Sequence, residues 1–120
     1  MKIAILGASP DKSRMSNKAL RAYSLKGWEV YAVNPNYIVI EGLKSYKSVL
    51  ELPKMDVISF YVSPVIGEKL VNNVIKAGPK TVYLNPGSDS DLIVKKLKEA
   101  GIDVLLQCSI LALGLNPKDF

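Results

Sequence analysis

The chain has no histidine and a single cysteine, Cys108, in 120 residues. Without histidine there is no Ser-His-Asp triad, no imidazole acid or base and no His-ligated zinc. One cysteine excludes a disulfide within the chain. No apolar run approaches the roughly 18 residues that a membrane span needs. The opening Met1-Lys2-Ile3-Ala4-Ile5-Leu6-Gly7 is too short for a signal-peptide core, and no cleavage pattern follows it. The expectation is a cytoplasmic protein, with no membrane partner, folded as one domain over residues 1–120. Acid is nearly absent from residues 1–26, where Asp11 stands alone against Lys2, Lys12, Arg14, Lys18, Arg21 and Lys26. The rest of the chain is balanced, so the net charge of +5 is the surplus of this one segment. A local positive field suits an anionic ligand. A solvated, lysine-rich helix face is the alternative for Lys18, Arg21 and Lys26.

What the chain does have is alternation. Short apolar runs rich in Val, Ile and Tyr occur at 3–6, 28–33, 57–62, 81–84 and 102–106. They read as strands buried on both faces. Between most of them lie amphipathic stretches of helical period. The first helix is predicted from Ser16 as N-cap, with Met15 and Leu20 as a hydrophobic staple, to a stop at Gly27. The second is predicted from Ser63-Pro64 to Gly78, with Ile66, Leu70 and Val74 on one face and Val71 and Ile75 beside them. The third follows Ser88, turns Ile93 and Leu97 inward and stops at Gly101. A short helical turn is expected within 46–51. Such alternation implies parallel strands with right-handed crossovers. The predicted fold is α/β: a Rossmann-like, doubly wound, five-stranded parallel sheet in three α/β/α layers, order 3-2-1-4-5. The apolar tail Ile110-Leu111-Ala112-Leu113 either packs back on the domain or forms an oligomer contact.

In such sheets ligands bind beyond the carboxyl ends of the strands, where strand order reverses. The loop leaving the first strand, Gly7 to Asn17, is therefore the candidate site. Gly7 permits a sharp turn. The N–H groups at the start of the following helix are free donors for a phosphate. Arg14 can add a bidentate, charge-assisted contact, and Ser9, Ser16 and Asn17 add neutral donors. Capping its own helix is the competing role for Ser16. The loop is neither G-x-G-x-x-G nor a P-loop, since the later glycines and the Gly-Lys-Ser/Thr ending are missing. The second strand exits into Val33-Asn34-Pro35-Asn36 and offers no carboxylate for the ribose hydroxyls of NAD. Lys44 and Lys47 follow, and would tolerate an adenosine with an extra phosphate. The exits Val62-Ser63-Pro64 and Asn85-Pro86-Gly87 complete the rim. Asp89 and Asp91 sit where the third helix starts and would repel a phosphate there.

Taken in order, Gly7-Ala8-Ser9, Arg14-Met15-Ser16-Asn17, Tyr31-Ala32-Val33-Asn34-Pro35, Ile40-Glu41-Gly42, Asp56-Val57-Ile58-Ser59 and Leu84-Asn85-Pro86-Gly87 resemble the stand-alone CoA-binding domain proteins. These are similar to the N-terminal domain of the succinyl-CoA synthetase α subunit. The likeness spans residues 2–109 and weakens after Cys108. It implies that Gly7, Ala8, Ser9, Arg14 and Ser16 hold the phosphates of coenzyme A and that Asn34 and Pro35 flank its adenosine. Val62, Ser63, Pro64, Asn85, Pro86 and Gly87 would line the pantetheine side. The synthetase works through a phosphorylated histidine outside its CoA domain, and this chain has none. The resemblance therefore implies a non-catalytic module for CoA or acyl-CoA, alone, as a homo-oligomer or with a partner subunit. The alternatives are an NAD(P)-binding oxidoreductase fragment and one subunit of an acyl-CoA synthetase. Nucleic acid is not an expected partner, because no RNA or DNA motif is present and the lysines lack interleaved aromatics. Cys108 reads as packing, with a mixed disulfide to CoA as its other reading.

Overall fold

The structure, a computed structural model, describes residues 1–120. The first apolar run becomes β1 (Lys2–Leu6), followed by α1 (Met15–Leu25), β2 (Glu29–Val33), β3 (Val39–Ile40) and β4 (Leu43–Tyr46). A 3-10 turn at Val49–Glu51 leads to β5 (Val57–Phe60), α2 (Pro64–Ala77), β6 (Thr81–Leu84), α3 (Asp91–Glu99) and β7 (Asp103–Leu105). The strands form one sheet in the order β3-β4-β2-β1-β5-β6-β7. Every pairing is parallel except that of β3 with β4. No helix is long and apolar enough to cross a membrane.

The class is the predicted one, a Rossmann-like α/β sheet, but it holds seven strands rather than five. The run beginning at Val57 was expected to lie beyond the second strand, and it pairs instead with the other side of β1, Ile3 against Val57 through Leu6 against Phe60. The place beside β2 belongs to β4, Ala32 against Ser45 and Val33 against Tyr46. Leu43-Lys44-Ser45-Tyr46 is not an apolar run, so its pattern concealed a strand. Ser45 is nevertheless buried, because its hydroxyl donates to the Asn34 carbonyl at 2.8 Å. Strand order reverses between β1 and β5, and that fixes where the crevice opens.

Alternation along the strands makes two cores. On one face Ala4, Leu6, Ile58, Phe60, Val82 and Leu84 meet Val71 and Val74 of α2 and Ile93 and Leu97 of α3. On the other, Ile3, Ile5 and Ala32 meet Ala19, Leu20, Ala22 and Tyr23 of α1. The tail packs back on this second core: Ile110 is buried, and Cys108, Leu113 and Phe120 lie against the cluster.

Two helix starts differ from expectation. Ser16 does not cap α1; Arg14 occupies the cap position, its carbonyl accepting from Lys18 N–H, and Ser16 is buried inside the first turn. Met15 is then 40% exposed, and the predicted staple with Leu20 does not form. Ser88 does not start α3 either. Its hydroxyl donates to the Phe60 carbonyl at 3.1 Å, and Ser90 is the cap. Ser63-Pro64 starts α2 as predicted, with the Ser63 hydroxyl accepting from Ile66 N–H and Gly78 closing the helix in the left-handed region.

Candidate functional site

The chain leaves β1 through Gly7, whose φ of +89° is a conformation that glycine adopts without strain. Gly7 N–H and Ala8 N–H both donate to the Val33 carbonyl, at 3.0 and 3.2 Å. From the other side, the Asn34 amide donates to the Ala8 carbonyl at 2.8 Å and accepts from Asn36 N–H at 2.9 Å. The exits of β1 and β2 are thus joined into one rigid edge.

The loop beyond Gly7 is organised by short-range polar bonds. Ser9 Oγ accepts from Asp11 N–H, and an Asp11 carboxylate oxygen accepts from both the N–H and the hydroxyl of Ser13. These Ser13 contacts hold the Asp11 carboxyl below its ordinary value. Asn17 braces the loop from within α1. Its amide donates to the Ser9 carbonyl at 2.9 Å and accepts from Arg21 Nε at 2.8 Å. Arg21 in turn donates to the Lys12 carbonyl.

The start of α1 is left open. No side chain caps it and no acid lies in its first turn. By contrast, α2 and α3 donate cap bonds from Ile66 N–H and Ile93 N–H to the Ser63 and Ser90 hydroxyls, and α3 carries Asp91 in its first turn. The leading N–H groups of α1 therefore keep donor capacity and the positive end of the helix dipole. Arg14 at this position is exposed, and the one ion pair of the chain, Lys2 with Glu29, lies elsewhere.

Beside this loop a cleft of about 370 Å³ opens at the carboxyl ends of β1, β2 and β5. Its floor is Leu6, Val33, Val49 and Val62, and Ile66 and Leu70 of α2 form a wall. The polar lining is Asn34, Asn36, Lys47, Ser48 and Asn73. Of the predicted site residues, Gly7, Asn34, Pro35 and Val62 line this cleft. Ala8, Ser9, Arg14, Ser16 and Asn17 lie in the adjoining loop and helix start. Ser63 is engaged as the α2 cap, and Pro64 follows it. Pro86 is exposed and Gly87 takes φ +91°. Asn85 is buried, and its amide donates to Ser59 Oγ at 2.7 Å and the Phe60 carbonyl at 2.8 Å while accepting from Ser109 N–H at 2.9 Å.

Asn85 thereby opens a buried network that sequence reasoning missed. Ser109 Oγ accepts from Ser59 at 3.0 Å and bonds Tyr61 OH at 2.8 Å, while Tyr23 OH donates to the Ser109 carbonyl at 2.8 Å. Burial pushes the Tyr61 phenol up to about 12 and raises that of Tyr23 as well. Also missed were Ser48 and the α2 wall, whereas Lys47, expected near an adenosine phosphate, does line the cleft. The signal for the wall was present. Ile66 and Leu70 form a second apolar stripe beside Val71 and Val74, wider than one core contact requires, and Ile66 remains 48% exposed.

Comparison with known proteins supplies the remaining observations. The family model for the CoA binding domain matches residues 1–114. An ADP-forming acetate–CoA ligase I of Archaeoglobus fulgidus is 33% identical over 102 residues, which are 84% of this chain and 14% of the relative. The chain thus spans about a seventh of that curated relative's length. A conserved hypothetical protein from Pyrococcus furiosus superimposes with a TM-score of 0.84 at 41% identity, covering 92% of this chain and 97% of its own. The dinucleotide-forming acetyl-coenzyme A synthetase 1 of Ca. Korarchaeum cryptofilum, solved with phosphate and ADP, matches 88% of this chain and 25% of its own, with a TM-score of 0.77 and 29% identity.

Proposed function

Because the chain belongs to the family of CoA-binding domains, we propose that it binds coenzyme A or an acyl-CoA at the carboxyl ends of β1, β2 and β5 and holds it without transforming it. The observation that carries this reading is the uncapped, acid-free start of α1 beside an apolar-floored cleft. The diphosphate takes the first-turn N–H groups of α1, with Arg14, Ser9 and Ser16 as side-chain donors around it. The Ser16 hydroxyl makes no bond within the chain and is free for this. Asn17 serves by bracing the loop rather than by donating to the ligand. The adenosine enters the cleft, whose volume lies in the usual range for a small-molecule site. The pantetheine arm leaves past Val62, Ser63 and Pro64 toward Pro86 and Gly87, with Asn85 supporting that rim from below.

Lys47 is the one ionisable side chain lining the cleft. No pair of groups stands there to exchange a proton or attack a thioester, which favours a binding role. We read the protein as a cytoplasmic module. A second reading rests on the Archaeoglobus relative: the chain serves as the CoA-binding subunit of an acyl-CoA-forming ligase, and a partner chain supplies the chemistry.

Isothermal calorimetry with CoA, acetyl-CoA, NAD and NADP tests the proposal. Saturable binding of CoA is expected. No heat with CoA but saturation with NADP would sink it. Replacing Arg14 by Ala should weaken CoA binding by about 1.5–3 kcal/mol, as for a hydrogen bond to a charged group. An unchanged affinity would remove Arg14 from the site. Co-purification of a second chain, with thioester formation by the pair, would favour the subunit reading.

A further inference from the structure

Resting on the coenzyme A reading above, we propose that Lys47 makes the cleft selective for an adenosine phosphorylated on its ribose 3′ oxygen, and so for coenzyme A over its dephosphorylated form and over dinucleotides. Lys47 is the only charged side chain in a lining that contains no acid. Its backbone is fixed from two directions. Lys47 N–H donates to Glu51 Oε1 at 2.9 Å. The preceding Tyr46 carbonyl accepts from Asn34 N–H at 2.9 Å, which holds Lys47 beside the exit of β2. Its ammonium takes part in no ion pair, since that between Lys2 and Glu29 is the only one in the chain.

Two of the acceptors beside Lys47 are already engaged, while Asn36 and Asn73 add only neutral amides to the lining. Asn34 Oδ1 accepts from Asn36 N–H, and Ser48 Oγ accepts from Leu50 N–H. A free ribose diol needs acceptors for its hydroxyl protons, and β2 ends on no carboxylate that would provide them. A ribose phosphate needs a cation, and Lys47 provides one without the cost of breaking an existing pair. Lys44, three residues earlier, is not equivalent. Its ammonium lies 4.8 Å from the Tyr46 ring centroid and it does not line the cleft.

Calorimetry of CoA, 3′-dephospho-CoA, NAD and NADP against the wild type and three variants tests this. The wild type should prefer CoA to 3′-dephospho-CoA by about ten- to a hundred-fold, the range for one hydrogen bond to a charged group. Lys47→Met should erase that preference, lowering the affinity for CoA about ten- to a hundred-fold more than that for 3′-dephospho-CoA. Lys47→Arg and Lys44→Met should both retain it. Equal binding of the two forms by the wild type, or a preference that survives in Lys47→Met, overturns the assignment while leaving the coenzyme A reading standing. Tighter binding of NADP than of CoA, or no adenylate binding at all, overturns both.

Discussion

Gly7 combines two demands that no other residue type meets. Its φ is +89°, and a Cβ built on it would stand 2.8 Å from Val62 Cγ1 and 2.9 Å from the Tyr61 carbonyl oxygen. The first demand imposes backbone strain on any L-residue. The second sets a side chain against backbone that β5 cannot move. Gly7→Ala should therefore cost about 2–4 kcal/mol from strain and overpacking together, read as a lower urea midpoint at constant slope. A midpoint equal to that of the wild type would show that the β1 exit relaxes more freely than this packing allows. Gly7 was legible in the sequence because an apolar run ended on it. The bracing role of Asn34 was not legible. Its amide joins the two strand exits, and nothing in the Asn-Pro-Asn pattern reveals that the Ala8 carbonyl is its partner. Ser16 was misread for a related reason. Capping is decided by where the chain turns, and the Asp11 turn, with Arg14 N–H donating to the Asp11 carbonyl, starts the helix earlier than Ser16 suggests.

At the scale of elements, hydrophobic period found β1, β2, β5, β6, β7 and the three helices that flank them, although β7, expected to be buried on both faces, is the exposed edge of the sheet. It missed β4 because burial of Ser45 depends on a tertiary hydrogen bond, and it missed β3 because two residues carry no period. The tail was ambiguous for the same reason. Its attachment runs through polar groups, with Ser109 bonded to Ser59, Tyr61, Tyr23 and Asn85. This attachment has a pH signature. The folded state holds the Tyr61 phenol at about 12, above the ordinary value of 10, chiefly by burial. A raised folded value means that the unfolded chain releases this proton first as pH rises. The stability it contributes is present below about pH 10 and is lost between there and about pH 12. Tyr23, raised in the same direction, adds to the slope. Thermal melts should show Tm falling through this window. Tyr61→Phe should be less stable at neutral pH by about 1 kcal/mol, for the lost bond to Ser109, yet decline less steeply above pH 10. Parallel alkaline limbs in the two proteins would dissociate Tyr61 from the effect.

Across the whole molecule, charge and shape select the same end of the sheet. The positive surplus lies within residues 1–26, and the fold sets Lys12, Arg14 and Lys18 along the loop and first turn of α1, the one helix whose start carries neither cap nor acid. At α3 the start is occupied by Ser90 and Asp91. An approaching polyanion therefore meets attraction at α1 and opposition at α3, before any contact is made. Such steering acts on the association rate and is screened by salt, since the Debye length shrinks from about 10 Å at 0.1 M to about 3 Å at 1 M. The apolar floor of the cleft is unaffected by that screening. Stopped-flow binding of coenzyme A should then show an association rate that falls several-fold between about 0.05 and 0.5 M salt, with a smaller change in dissociation. Replacing Lys12 and Lys18 together by Gln should lower the low-salt rate and flatten the slope, while the dissociation rate stays near that of the wild type. A salt slope equally steep in the double variant would mean that the field comes from Arg14 and the helix terminus alone, and that the remaining basic residues of the segment serve only as a solvated face.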